Sequence, residues 1–278
     1  MPITTNPGYP KRDGFKPVVF NDTLWVIGGN YFSSEYFNDV WFSTNGTDWS
    51  RAKEHAEFPP RSGHSLTVFQ NKLWLIGGIT EDTDFLNDIW FSENGIDWNV
   101  ASWGANFSDR YQHTAIVFDE KFWIIGGFGG VDLEGDIVLV SNNGIQWEVV
   151  NTGAPFLTSR ADATAAVFDD KLWVSSGIAG TPLADIWNTS DGVIWNEVHR
   201  NAPFDKRLGG DLTVFDDRLW MTGGSVFGFD TWSSTDGLNW SLEITKEAIP
   251  YQLFCSAVVF DNALLLLNWY DQDIWAIK

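Results

Sequence analysis

Cysteine, basic residues and long apolar segments are scarce in this sequence, and each scarcity excludes a class of protein. The single cysteine, Cys255, excludes an intramolecular disulfide framework and a zinc site built on several cysteines. The 17 Lys and Arg residues face 37 acidic ones, and the resulting net charge of −20 argues against nucleic-acid and anionic-membrane partners. No apolar run is long enough to span a membrane, and the first residues, MPITTNPGYPKRDG, lack the apolar region of a signal peptide. We therefore expect a cytoplasmic protein as the chain stands, or an extracellular or periplasmic one if a leader has been removed.

Aromatic residues, by contrast, are abundant and recur at fixed spacing. The chain has 17 Trp, 21 Phe and 6 Tyr among 278 residues, and a hydrophobic fraction of 44% that excludes a disordered chain. A pattern that carries three Trp positions is repeated along the sequence. Its copies begin at Arg12, Arg61, Arg110, Arg160, Arg207 and Gln252, so that successive starts lie 49, 49, 50, 47 and 45 residues apart. Because the Trp residues recur at fixed repeat positions, we expect them to pack between adjacent units rather than to stack on a ligand.

Each copy predicts four short β-strands. In the second copy LTVF and KLWLIGG, on either side of the polar turn Gln70-Asn71, contain the β-branched and aromatic residues typical of buried strands. DIWFS follows, and Asn94-Gly95 then supplies the positive φ angles of a tight hairpin that leads to the fourth strand. No segment shows a sustained helical period. The repeat length and the four strands predict an all-β, six-bladed β-propeller of four-stranded antiparallel blades.

Three features of the copies resemble the kelch family. These are a double glycine at the end of the second strand, an aspartate followed by an aromatic residue in the third, and a Trp at the start of the fourth. The double glycine is present in four copies, whereas the fourth copy has Ser176-Gly177 and the sixth has Leu267-Asn268. The resemblance covers about the whole chain and implies the kelch-type propeller fold. It leaves function open, because kelch propellers serve as adaptors, lectin-like modules and enzymes.

The chain is predicted to form one domain over residues 1-278. The blades are expected at about 12-60, 61-109, 110-159, 160-206, 207-251, and 252-278 together with 1-11. The sixth copy ends after its third strand, while ITTNPGYPKR aligns with the fourth strand and linker of the fourth copy. We therefore predict that residues near 3–6 form the outer strand of the last blade, so that both termini close the ring and remove an exposed sheet edge.

Five of the eight arginines occupy one repeat position, just before the innermost strand. They are Arg12, Arg61, Arg110, Arg160 and Arg207. The linkers between blades share one face with the loops between the second and third strands, and the kelch resemblance implies that functional residues lie on that face. A ring of arginines there predicts binding of an anion such as a carboxylate, which a guanidinium holds through two parallel hydrogen bonds. The alternative is that each guanidinium bonds carbonyl or carboxylate groups of the neighbouring blade and supports the repeat.

Aromatic residues in the loops after the second strands form a second candidate binding surface. They are Tyr31, Tyr36, Phe85, Phe128, Phe229, Trp269 and Tyr270. Beside the carboxylates of the same loops, these side chains are suited to stack on sugar rings or to receive a protein partner. The alternative is that several of them turn inward and cover the rim.

Two function hypotheses follow. The first is a non-enzymatic binding module, expected to be monomeric and free of cofactor and metal, whose partner is a protein, a glycan or a small carboxylate ligand. The second is a carbohydrate-active isomerase resembling the kelch-type sialic-acid mutarotases, with the arginine ring holding a carboxylate. Its candidate acid–base residues are His64, His113, Asp162 and Asp211. The two histidines occupy equivalent positions of adjacent copies, where they could transfer protons or bind a metal, or could be structural.

Overall fold

Every regular element in the described part of the chain is a β-strand, and the strands form the six antiparallel sheets of a six-bladed propeller. The computed structural model describes residues 2–32, 34–129, 137–152, 156, 160–207, 209–224, 230–245, 255–268 and 272–278. Within these ranges no helix is long and apolar enough to cross a membrane. The predicted fold class is therefore confirmed.

Each blade is a meander in which strands that are consecutive in the blade pair with one another. The innermost strands are Val18–Phe20, Ser65–Phe69, Thr114–Phe118, Thr164–Phe168, Asp211–Phe215 and Cys255–Phe260. The second strands are Thr23–Ile27, Lys72–Ile79, Lys121–Ile125, Lys171–Ser175, Arg218–Thr222 and Ala263–Asn268. The third strands are Val40–Ser43, Phe85–Ser92, Ile137–Ser141, Ile186–Thr189, Thr231–Ser234 and Ile274–Ile277. The fourth strands are Ser50–Lys53, Asn99–Ser102, Glu148–Thr152, Asn196–His199 and Ser241–Ile244.

Short two-residue ladders extend three of the blades on the linker face. They pair Asn30–Tyr31 with Glu35–Tyr36, Arg110–Tyr111 with Phe128–Gly129, and Ile178–Ala179 with Thr181–Pro182. These ladders fix the loops that carry several of the candidate aromatic residues.

The two hairpins of a blade turn by different means. In the first hairpin of the second blade Gln70 and Asn71 both have positive φ, 48° and 56°, as in a two-residue turn that matches strand twist. In the second hairpin only Gly95 has positive φ, at 81°. The side chain of Asn94 accepts hydrogen bonds from the backbone N–H groups of Ile96 and Asp97, each at 2.9 Å. The Asn-Gly pair therefore works through an amide oxygen and one glycine, and not through two positive φ angles as the sequence predicted.

The apolar core lies between the blades. In the described residues it forms six buried clusters, each shared by two neighbouring blades, and one of them joins the first blade to the sixth. The second-strand Trp of one blade covers the hairpin glycine of the next: a Cβ added to Gly144 would lie 2.8 Å from the ring of Trp74. The Trp positions therefore pack between blades, as the sequence predicts. The innermost strands contact their neighbours around the whole ring, the sixth against the first included.

The sixth blade has three described strands. An isolated antiparallel bridge joins Thr4 to Ile274 at the free edge of the third strand. The N–H of Ile3 donates to the carbonyl of Ile274 at 2.7 Å, and the N–H of Ile274 donates to the carbonyl of Thr4 at 3.0 Å. One bridge is less than the predicted strand over residues 3–6, so closure of the ring by a full outer strand stays a prediction.

Candidate functional site

The linkers that enter the blades meet around the central axis and are joined by backbone hydrogen bonds. The residue two places after each arginine is left-handed in all five linkers, with φ of 63° at Gly14, 61° at Gly63, 53° at Gln112, 51° at Asp162 and 67° at Gly209. The N–H of Gly63 donates to Gly14 at 2.7 Å, that of Gln112 to Gly63 at 2.7 Å, and that of Asp162 to Gln112 at 2.9 Å. This turn brings the five linker tips together at one end of the channel.

A cavity of about 540 Å³ opens at these linker tips. Its walls are residues 13–16, 62–64 and 111–113 of the first three linkers, Asp162 and Gly209 of the next two, and loop residues of the first and second blades. We call this cavity the funnel. It lies on the face where the kelch resemblance placed function, and its volume is within the usual range of ligand pockets.

The five arginines of the predicted ring lie behind the funnel wall, inside their own blades. Each is at most 2% exposed. Arg61 is representative: its Nη1 and Nη2 donate to Asp88 at 2.6 and 2.7 Å, its Nη1 also to the carbonyl of Gly77 at 2.9 Å, and its Nε to that of Pro59 at 3.1 Å. The equivalent ion pairs are Arg12 with Asp39, Arg160 with Asp185, and Arg207 with Asp230.

These ion pairs agree with the scaffolding alternative for the arginines, with one difference. The partner belongs to the same blade and not to the neighbouring one. Arg110 likewise donates to the carbonyls of Gly126 and Ser108, at 2.9 and 3.1 Å. The paired aspartate follows the arginine by 27 residues in the first two blades, by 25 in the fourth and by 23 in the fifth. The sequence shows this similar spacing but not that the two side chains meet.

The two candidate histidines are buried in the funnel wall and neutral. His64 is 3% exposed, and within the described residues neither of its ring nitrogens makes a hydrogen bond. Burial and the charge of Arg61 lower the pKa of His64 to about 3. The backbone of Ile27 acts in the opposite direction, although it makes no hydrogen bond to the ring. His113 is 6% exposed and has Nε2 2.9 Å from the Ser65 hydroxyl. Burial, Arg110 and His64 lower its pKa to about 3 as well.

Lys16 and Asp162 line the funnel and form a charged cluster with Asp211. The Nζ of Lys16 donates to Asp211, whose other carboxylate oxygen accepts from the N–H of Ala257 at 2.7 Å. Burial acts to lower the pKa of Lys16, but the charge of Asp211 and the bond to it raise the pKa above its usual value. Asp162 accepts a hydrogen bond from the side chain of Gln112 at 2.9 Å. Burial raises the pKa of Asp162 to about 6, with Lys16 opposing and Asp211 adding to the shift.

Aromatic side chains form the rim of the funnel on the side of the first three blades. Tyr36 and Tyr111 line the cavity. The ring of Tyr111 lies 5.2 Å from that of Phe85 and 6.1 Å from that of Phe128, which is 41% exposed. Tyr31 is 37% exposed and is not among the residues that line the cavity. Phe229, Trp269 and Tyr270 lie outside the described residues.

Sequence reasoning did not single out several funnel residues. Lys16, Tyr111, Gln112 and Glu81 line the cavity, yet none repeats from copy to copy. The first three share one signal, their position within four residues of a ring arginine, whereas Glu81 lies in the loop after a second strand. Cys255 is fully buried in the core between the fifth and sixth blades, and burial raises the pKa of its thiol. Among the described residues no group of three or more His, Cys, Asp and Glu side chains could hold a metal ion.

Comparison with known proteins identifies the family. A model described as the KLHDC2/KLHL20/DRC7 Kelch-repeats domain matches residues 4–224, which is more than half of the chain. No curated protein sequence matches the chain. With six antiparallel blades, a ring of linkers and this match, the chain belongs to the Kelch-repeat family, whose propellers are commonly protein-binding domains.

Proposed function

We propose that this propeller is a non-enzymatic binding module that holds an extended segment of a partner protein in the funnel. The observation that carries the proposal is the funnel itself, a cavity of about 540 Å³ on the linker face whose walls combine aromatic rings with charged and hydrogen-bonding groups. Binding sites on proteins typically have this composition, with apolar surface for affinity and a few polar groups for orientation.

Two further observations support a protein partner. The loops after the second strands carry exposed aromatic residues, with Phe32 at 62% and Phe128 at 41% exposure, and aromatic side chains are enriched in protein interfaces. Kelch propellers also commonly bind proteins. A glycan that stacks on the same rings is the competing ligand class.

The isomerase hypothesis needs groups that the structure commits elsewhere. It calls for guanidinium groups that hold a carboxylate, and these donate to carboxylate or carbonyl groups within their own blades. Of its acid–base candidates, His64 and His113 have a pKa lowered to about 3, whereas the pKa of Asp162 is raised to about 6, so Asp162 alone would remain for this role, with no guanidinium beside it to hold the carboxylate. A binding function without catalysis requires only the cavity and the side chains that line it.

Peptide display on the full chain tests the proposal. Peptides selected against the wild-type protein would be measured for affinity to a Tyr36→Ala/Tyr111→Ala double variant and to Leu238→Ala. Leu238 is 54% exposed in a second-hairpin turn on the opposite face, so it is the matched control. We expect at least about tenfold weaker binding to the double variant, the usual loss for interface aromatics, and no change with Leu238→Ala. Failure to select any peptide, or equal affinity for all three proteins, would refute the proposal.

A further inference from the structure

The charges that face the funnel are mainly acidic. The described wall contains the carboxylates of Asp13, Glu81 and Asp162, and the one Lys in it, Lys16, already donates to Asp211. The arginines behind the wall are in ion pairs or bonded to carbonyls, and His64 and His113 are neutral. A ligand that enters the funnel therefore meets more negative than positive charge.

His64 adds a buried side chain without charge to this acidic wall. The imidazole is 97% buried, since only 3% of the residue is exposed, and it lines the cavity with both ring nitrogens unbonded among the described residues. Both nitrogens lie below the surface of the wall, so the imidazole offers a ligand neither charge nor an accessible hydrogen-bonding atom.

Two non-glycine residues in the left-handed region hold the acidic wall in place. Gln112, with φ of 53°, and Asp162, with φ of 51°, occupy positions that are glycine in the first, second and fifth linkers. Their side chains bond to each other at 2.9 Å. Residues kept in this region against their preference are concentrated at functional sites. The ring of Tyr111 lies beside them in the wall, and tyrosine faces attract cations.

We infer that the funnel receives a lysine or arginine side chain of the partner segment. This inference rests on the proposed function and names the chemistry of its ligand. An ammonium or guanidinium group has only hydrogen-bond donors and a positive charge, so it complements both the carboxylates and the tyrosine faces of the wall. The net charge of −20 attracts such a segment over a distance of about a Debye length. The anionic ligand expected from the sequence would instead meet carboxylates of its own sign.

The test is a titration of the full chain with three matched probes. Nα-acetyl-lysinamide carries the cation, Nα-acetyl-norleucinamide has a neutral side chain of similar length, and Nα-acetyl-glutamamide carries an anion. Binding is followed by the NMR signals of the histidine rings. The exposed ring of His55, which is not in the funnel wall, serves as the internal control. We expect the lysine probe to shift the signals of His64 and not those of His55, and the other two probes to bind at least about tenfold more weakly.

Two charge variants of equal net charge complete the test. Asp162→Asn removes a carboxylate from the wall, whereas Asp119→Asn removes one from a first-hairpin turn on the opposite face, where the Asp119 side chain is 74% exposed. We expect lysine-probe affinity to fall by about threefold or more in Asp162→Asn and by less than about 1.5-fold in Asp119→Asn.

Each outcome decides a different claim. Tighter binding of the glutamate or norleucine probe at His64 would overturn the cationic ligand and leave the funnel as a binding site. No shift of His64 with any probe would overturn the cationic ligand, while the binding function itself is decided by the peptide-display experiment. If Asp162→Asn and Asp119→Asn lowered the affinity equally, the affinity would depend only on the net charge of the protein, and the inference would also be overturned.

Discussion

Replacing Asp88 with alanine tests whether the arginine ring is structural. The substitution removes both carboxylate bonds to Arg61, at 2.6 and 2.7 Å, and the bond at 2.7 Å from the indole N–H of Trp90. Arg61 is fully buried, so its charge has no route to solvent and keeps only carbonyl partners. Removal of one partner from a buried ion pair costs about 3–5 kcal/mol, and we expect a loss of unfolding free energy in this range.

Urea unfolding, followed by the fluorescence of the 17 Trp residues, measures this loss. Glu54→Ala is the control, because Glu54 pairs with Arg51 at 3.4 Å on the surface, where the side chains are 66% and 46% exposed. We expect the control to change the unfolding free energy by less than about 0.5 kcal/mol.

A double variant separates the buried charge from general damage to the blade. Arg61→Met/Asp88→Leu removes both charges, and apolar replacement of a buried pair is often neutral. It should therefore be more stable than Asp88→Ala alone. A loss below about 1 kcal/mol in Asp88→Ala would refute the scaffolding assignment and return Arg61 to the candidates for ligand binding.

Three further changes probe other parts of the structure. Gly192→Ala would force a Cβ into the ring of Trp123, whereas Gly180→Ala has the same positive φ with no atom within 4 Å; urea unfolding should show the first to be destabilised by at least about 2 kcal/mol more than the second. Asp162→Asn should raise the unfolding free energy by on the order of 1–3 kcal/mol at pH 7.5, because its folded pKa of about 6 means that ionisation destabilises the fold as pH rises from 4 to 6. This gain should vanish at pH 4, and an equal gain at both pH values would contradict the assignment. Deletion of residues 2–10 should lower Tm by about 5 °C or more, since it removes the bridge at Thr4 and the buried Tyr9; an unchanged melting curve would argue against closure by this segment.

The sequence by itself determined the architecture, because the propeller signal is local and repeated. Every copy carries its own strand residues, turn residues and Trp positions, so six weak local patterns reinforce one another. The same repetition placed the arginines at one position of the blade and the Trp residues between blades. The repetition could not place Lys16, Tyr111 or Gln112 in a site, since these residues differ from copy to copy. They form one cavity wall only because different linkers meet in the folded ring.

Only the tertiary structure decided which charges face the ligand. Arg61 and Asp88 are 27 residues apart in the chain, and the pairing that buries both charges arises when the linker packs against the third strand. The arginine position that suggested an anion site is thereby neutralised inside the blade. The acidic wall combines Asp13, Glu81 and Asp162, which belong to three different blades and share no sequence pattern. Electrostatic character depends on distance and burial, and both are properties of the closed ring rather than of any single repeat.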